Sequence, residues 1–223
     1  MSTTHSLPEG YRLIPEETAL LVIDMQNGFC SQQGSLGKNG VDVSHMRNTI
    51  APVRKLIEAS RRASMLDAWT IQHHYPDDAT RGRHRIIPHT LRFGSGPAAL
   101  VNTWDAEVVD ELKSLSQAPA EIIIKHRFSA FFDTRLDTLL RMKGIRTVII
   151  SGVSSSLCVE TTIRDAYQRD YDVLIAADAI ATDSPEAHEE SMRTAAKYFG
   201  ACLSTDAIVQ LIDQAADVAA VAK

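Results

Sequence analysis

Three side chains of this 223-residue chain could work together as an acid, an amine and a thiol. Asp24 ends the apolar run TALLVID, Lys125 ends AEIIIK, and Cys158 follows RTVIISGV and the turn SSSL. Cys158 opens the segment CVETTIRDAYQRD, which reads as a helix. A thiol there faces the positive end of the helix dipole, which favours thiolate and lowers its pKa. Asp24, partly shielded at the end of a buried strand, suits proton transfer to and from such a nucleophile. Lys125 could hold acid and thiol in register and stabilise negative charge. Together the three types fit covalent acyl transfer. Each also has a structural reading: a buried cysteine, which is the reading for Cys30 and Cys202, a strand-end Asp capping a turn, and a snorkelling lysine.

The elements that must position these groups are short β-rich runs at 18–24, 66–72, 120–125, 146–153 and 171–178. They alternate with helical patterns at 45–64, 135–143, 157–170 and 186–199. Continuous apolar runs of this length suit parallel strands buried on both faces. The expected fold is α/β, a three-layer α/β/α (Rossmann-like) arrangement around a mainly parallel six-stranded sheet. In such sheets ligands bind beyond the carboxyl ends of the strands, which is where Asp24, Lys125 and Cys158 fall. The polar stretch 73–103, with His73, His74 and four arginines at Arg81, Arg83, Arg85 and Arg92, reads as an active-site loop. Residues 1–17 form an N-terminal extension to one domain spanning 1–223, and the Ala-rich end reads as a last helix.

Charge narrows the partners. With 23 basic against 28 acidic residues, the net charge of −5 argues against a nucleic-acid binder. Apolar runs such as TALLVI fall short of the ~20 residues of a membrane span, and the first residues lack a signal-peptide core, so a cytoplasmic protein is expected. Three cysteines at no metal-ligand spacing disfavour a disulfide framework or a zinc ribbon. GSGPAA at 94–99 follows no apolar strand and reads as a turn, not a dinucleotide loop.

The segments LLVIDMQNGF, IIKHRFSAFFDTRLDTLL and GVSSSLCVETTIRDAYQRDYDVLIAADAIAT resemble, in the same order, the three signature blocks of isochorismatase-like cysteine hydrolases. The resemblance covers roughly residues 18–212 and implies an Asp24–Lys125–Cys158 triad. The cysteine points to the amide-cleaving branch. The resemblance further implies a cis peptide at Val153–Ser154 and an oxyanion hole from the backbone N–H groups of Ser154 and Cys158. NTWDAEVVDEL and KHRFSAFFDT are similar to the ureide branch, which comprises ureidoacrylate, biuret and triuret hydrolases and N-carbamoylsarcosine amidohydrolase. The implied reaction is C–N cleavage of a small linear carbamoyl amide, with a nicotinamidase-like activity or a catalytically silent binding protein as the alternatives. Nicotinamidases carry a metal-binding Asp and His after the second strand; here His73 and Tyr75 stand instead, so no metal or other cofactor is expected. A homodimer or homotetramer is implied by resemblance alone. Closeness to the motifs nominates Asn27, Phe29, Gln72, Phe128 and Phe131 as pocket residues. Arg83 and Arg85 are candidates for a substrate carboxylate or carbonyl, against the reading of a solvated basic loop.

Overall fold

The computed structural model describes residues 7–76 and 97–221, with side chains to Asp217. In chain order the elements are β1 (Thr18–Ile23), the short helices α1 (Asn27–Cys30), α2 (Ser35–Lys38) and α3 (Ser44–Asn48), then α4 (Ile50–Arg62) and β2 (Leu66–Gln72). They continue with β3 (Glu121–Lys125), α5 (Leu136–Met142), β4 (Thr147–Val153), a π turn at Ser155–Val159, α6 (Glu160–Tyr167), β5 (Asp172–Ala181), α7 (Pro185–Tyr198), β6 (Ala201–Leu203) and α8 (Thr205–Val221). The six strands form one sheet, ordered β3-β2-β1-β4-β5-β6, with every neighbouring pair parallel.

Every residue of β1 and β4 is buried, because helices cover both faces of the central sheet. Strand alternation divides the core. Leu20 and Val22 of β1 join Val53, Leu56 and Ile57 of α4 and Ile208 and Ile212 of α8. Ala19, Leu21 and Ile23 face Leu140 of α5, Ile163 of α6 and Ala195 of α7. Each fully buried aliphatic side chain contributes roughly 1.5–3 kcal/mol of transfer free energy, so these two faces hold the strand ends in fixed register. The order reverses direction between β1 and β4, and this switch point opens a crevice beyond their carboxyl ends.

Several boundaries differ from the sequence expectations. The stretch 45–64 divides into α3 and α4 at Thr49, and the helix expected from 157 begins as the π turn. β5 runs on to Ala181, past the expected end at 178, while Asp178 accepts hydrogen bonds from Thr205 N (2.6 Å) and Oγ1 (2.8 Å) at the start of α8. β6, with three residues, is too short to register as a periodic pattern. Among the described residues no helix is long and apolar enough to cross a membrane.

Candidate active site

Asp24 is the first residue beyond β1, in the left-handed region at φ 48°. Asp tolerates this conformation better than most residues, and the turn redirects the chain just past the strand end. Its backbone N–H donates to Thr70 Oγ1 (3.1 Å), and the Thr70 hydroxyl donates to Asp24 Oδ1 (2.6 Å), leaving Oδ2 for a second partner. That partner is Lys125, whose Nζ lies 2.7 Å from Oδ2. Lys125 stands two strands away at the end of β3, so its long side chain passes the end of β2 to reach Asp24. Its ammonium donates to Gln72 Oε1 (2.8 Å), Arg127 O (3.0 Å) and Cys158 Sγ (3.4 Å). Three acceptors take its three protons, and the Asp24 charge completes a directional setting.

Cys158 comes from the switch-point side. Gly152 of β4, at φ 107°, packs so closely on β1 that a Cβ there would meet Ile23 O at 2.1 Å. The Val153–Ser154 peptide is cis, and the π turn follows. Ser155 is buried in that turn; its hydroxyl lies 3.2 Å from His188 Nδ1 and its carbonyl accepts from Ser191 Oγ (2.9 Å). One turn on, Thr162 donates to Cys158 O (2.6 Å) and accepts from Ala130 N (3.0 Å), tying the thiol-bearing turn to the segment after Lys125.

The electrostatics correct the expectation of a low-pKa thiolate. Burial, the largest influence, pushes the Cys158 thiol up to about 12; Lys125 pulls it down, while Asp24, by charge and hydrogen bond, pushes it up. The sulfur lies within the first turn of the helical stretch that starts at Ser155, and burial outweighs the helix dipole there. Burial alone would depress Lys125, but Asp24 and Cys158 together outweigh it and hold the ammonium above the usual lysine value. The buried Cys158 thiol thus lies against the Asp24–Lys125 ion pair, with burial opposing its ionisation.

Cys158 and Asp24 open into a cavity of about 100 Å³ whose lining includes Phe29, Leu36, Gln72, His74, Phe128, Ser154, Leu157 and Asp183. Phe29, Gln72, Phe128 and Ser154 were nominated from sequence, and the fold brings them together here. Asn27 and Phe131 are not among the cavity's lining residues: Asn27 is buried, its Nδ2 donating to Trp104 O (3.0 Å), and Phe131 stacks on Tyr171 in the core, with ring centroids 5.9 Å apart. Arg83 and Arg85 lie outside the described residues. Tyr75, half of the altered metal motif, is exposed, whereas His74 lines the cavity and hydrogen-bonds through Nδ1 to Ala98 O. Asp105 knits two walls, its carboxylate accepting from Ser35 N (2.8 Å), Ser35 Oγ (2.6 Å) and Ala99 N (2.6 Å). Sequence reasoning missed Thr70, Asp105 and Asp183. Only Asp183 carried a signal, since it follows the true end of β5.

Comparison with known proteins places the fold in a family. Residues 18–207 match the isochorismatase domain. The chain belongs to the isochorismatase family. A ureidoacrylate amidohydrolase, RutB, of Enterobacter sp. (strain 638) is 32% identical over 213 residues, covering 90% of this chain and 91% of the relative. A cysteine hydrolase from Pseudomonas syringae pv. phaseolicola 1448A superposes with a TM-score of 0.75 at 28% identity, over 92% of this chain and 96% of its own. N-carbamoylsarcosine amidase from Thermoplasma acidophilum gives 0.65 at 27% identity, over 85% and 97%. The family's hydrolases thus include proteins named for carbamoyl substrates, at identities that cover nearly the whole chain.

Proposed function

We propose that this chain is a cysteine-dependent amidohydrolase that cleaves a C–N bond of a small linear ureide through a thioester on Cys158. The observation that carries the reading is the buried Asp24–Lys125–Cys158 cluster opening into a small cavity at the switch point. The names of the relatives supply the substrate class.

In the proposed mechanism Sγ attacks the carbonyl carbon as its proton passes to Asp24. The raised thiol pKa requires this coupling, because little free thiolate exists before substrate arrives. Lys125 keeps the shuttling carboxylate in place and compensates its charge. The tetrahedral oxyanion receives the backbone N–H groups of Ser154 and Cys158. As it collapses the C–N bond breaks, and the leaving nitrogen takes the proton from Asp24. Water then attacks the thioester, giving one proton to Asp24, and the acid product leaves as Cys158 regains its proton. Gln72 supplies a further substrate contact. Its Oε1 is held by Lys125, which fixes the amide so that its Nε2, buried and without a hydrogen-bond partner among the described residues, can donate to a ligand oxygen. An unmet buried donor costs roughly 1–3 kcal/mol, which a ureide carbonyl would recover.

The test is ammonia release from ureidoacrylate, biuret, triuret, N-carbamoylsarcosine and nicotinamide, with intact-mass spectrometry for the acyl adduct. The highest kcat/KM is expected on a linear carbamoyl compound. Nicotinamide ahead by about tenfold would overturn the ureide assignment; no adduct and no turnover on any amide would overturn the enzyme reading. The same proposal includes a cytoplasmic location and a homodimer or homotetramer, the latter checked by light scattering.

A further inference from the structure

Beside the sulfur, a chain of hydroxyl groups ends in a carboxylate. Thr182, 1% exposed, places its Oγ1 2.9 Å from Asp183 Oδ1, 3.2 Å from Ser156 Oγ and within hydrogen-bond reach of Ser154 Oγ. A carboxylate oxygen accepts, so the single Thr182 proton goes to Asp183. Thr182 Oγ1 is then left with lone pairs only, and both serine hydroxyls must donate to it. The direction of every proton in the chain follows from its acidic end. Ser154 has committed its proton away from the cavity, and the part of its oxygen left for a ligand is a lone pair. Ser154 and Asp183 both line the cavity that holds Asp24 and Cys158.

We propose that Ser154 and Asp183 form an acceptor wall that selects substrates presenting N–H groups at their far end, neutral or cationic, over substrates carrying a carboxylate there. The inference rests on the ureide reading of the site and narrows it. Gln72 Nε2 offers a donor within the same cavity. A urea-like group, with a carbonyl oxygen on one edge and N–H groups on the other, complements that pairing of donor and acceptors. Lys125, the one ammonium of the cluster, is 0% exposed and committed to Asp24, and no Lys or Arg stands among the described residues that line the cavity. A substrate carboxylate directed at this wall would meet the Asp183 charge and an oxygen lone pair. Asp183 is solvent-exposed, so screening makes it a selector of moderate strength.

The experiment compares the full-length protein with Asp183→Asn and Asp183→Lys on three carbamoyl compounds: the guanylurea cation, neutral biuret and the N-carbamoylglycine anion, at low and high salt. Asp183 is exposed, so both variants should fold as the parent does, which circular dichroism checks. Asp183→Asn should lower kcat/KM for guanylurea about threefold and raise it for N-carbamoylglycine about threefold, magnitudes within the range of exposed ion pairs. The cation-to-anion ratio then moves about tenfold, chiefly through KM, and Asp183→Lys moves it further in the same direction. Added salt should shrink the effect. A ratio that stays within twofold in both variants, while all three compounds turn over, overturns the role of Asp183 and leaves the ureide reading standing. Turnover of none of the three by the parent protein overturns both.

Discussion

Replacing Asp24 by Asn at a position 1% exposed takes the charge from beside the Lys125 ammonium, itself 0% exposed and 2.7 Å away. Breaking a buried pair in this way costs about 3–5 kcal/mol when the surviving charge must stay. Two responses can lower that figure. Lys125 can shed its proton, which near pH 7 costs about 4.6 kcal/mol against an unperturbed value near 10.4. Alternatively Cys158, 3.4 Å from Nζ, can ionise in place of the carboxylate, but burial is the largest influence on that thiol and lifts the cost well above the about 2 kcal/mol of an ordinary thiol near 8.5. The first route lies lower, since burial eases loss of the Lys125 proton and opposes a thiolate. Asp24→Asn should therefore lose about 4–5 kcal/mol in urea unfolding near pH 7. In a Cys158→Ala background the thiol is gone altogether, and a loss of the same size is expected. Lys125 is then neutral in the folded state, the unfolded chain binds more protons, and stability climbs with pH by up to about 1.4 kcal/mol per unit until about 10. The wild-type sign is opposite: Lys125 is held above its ordinary value, so its contribution is full below about 10.4 and is lost as pH rises through the folded pKa. If Asp24→Asn costs under about 1 kcal/mol in the Cys158→Ala background, with no climb between about pH 7 and 9, the buried-pair argument is refuted.

Cys158→Ala should abolish turnover and adduct formation while Cys30→Ala and Cys202→Ala keep both; full activity without Cys158 would sink the thioester mechanism. Lys125→Ala and Asp24→Asn should each cut kcat by at least about a hundredfold, with the folded fraction followed in parallel by circular dichroism. In the resting wild-type protein Cys158 alkylation should show no titration step near the ordinary thiol value and should climb only toward about pH 12, so a step near 8.5 would contradict the raised thiol. Gly152→Ala brings a Cβ against Ile23 O at 2.1 Å, at a φ of 107°, and should cost about 3 kcal/mol or more in urea unfolding; a change under about 1 kcal/mol would show that β1 and β4 part easily. Treatment with EDTA should leave activity intact, and activity restored only by added metal would favour a nicotinamidase-like site, since His73 and Tyr75 stand where such ligands would be.

The places of Asp24, Lys125 and Cys158 were legible because parallel strands buried on both faces leave continuous apolar runs, and the three residues stand where those runs end or just beyond. The alternation of runs and helical patterns was enough for the three-layer fold, since each segment carries its own period. Strand order was not local in this sense, and only the folded sheet shows that Lys125 must reach across β2 to meet Asp24. Direction of side chains was also hidden. Phe128 and Phe131 stand three residues apart, yet one lines the cavity and the other stacks in the core, because the turn after Lys125 is irregular. Asp183 was lost through three extra residues of β5, which moved the strand's end from Asp178 to Ala181. Ionisation was the least legible property. Position suggested a thiolate at a helix start, whereas burial raises the thiol to about 12, and desolvation depends on everything packed around the sulfur. The sequence by itself determined which residues stand at strand ends, because burial and backbone period are written locally. The tertiary structure decided which of them touch, which way their protons point and which charges survive, because those depend on groups brought together from distant parts of the chain.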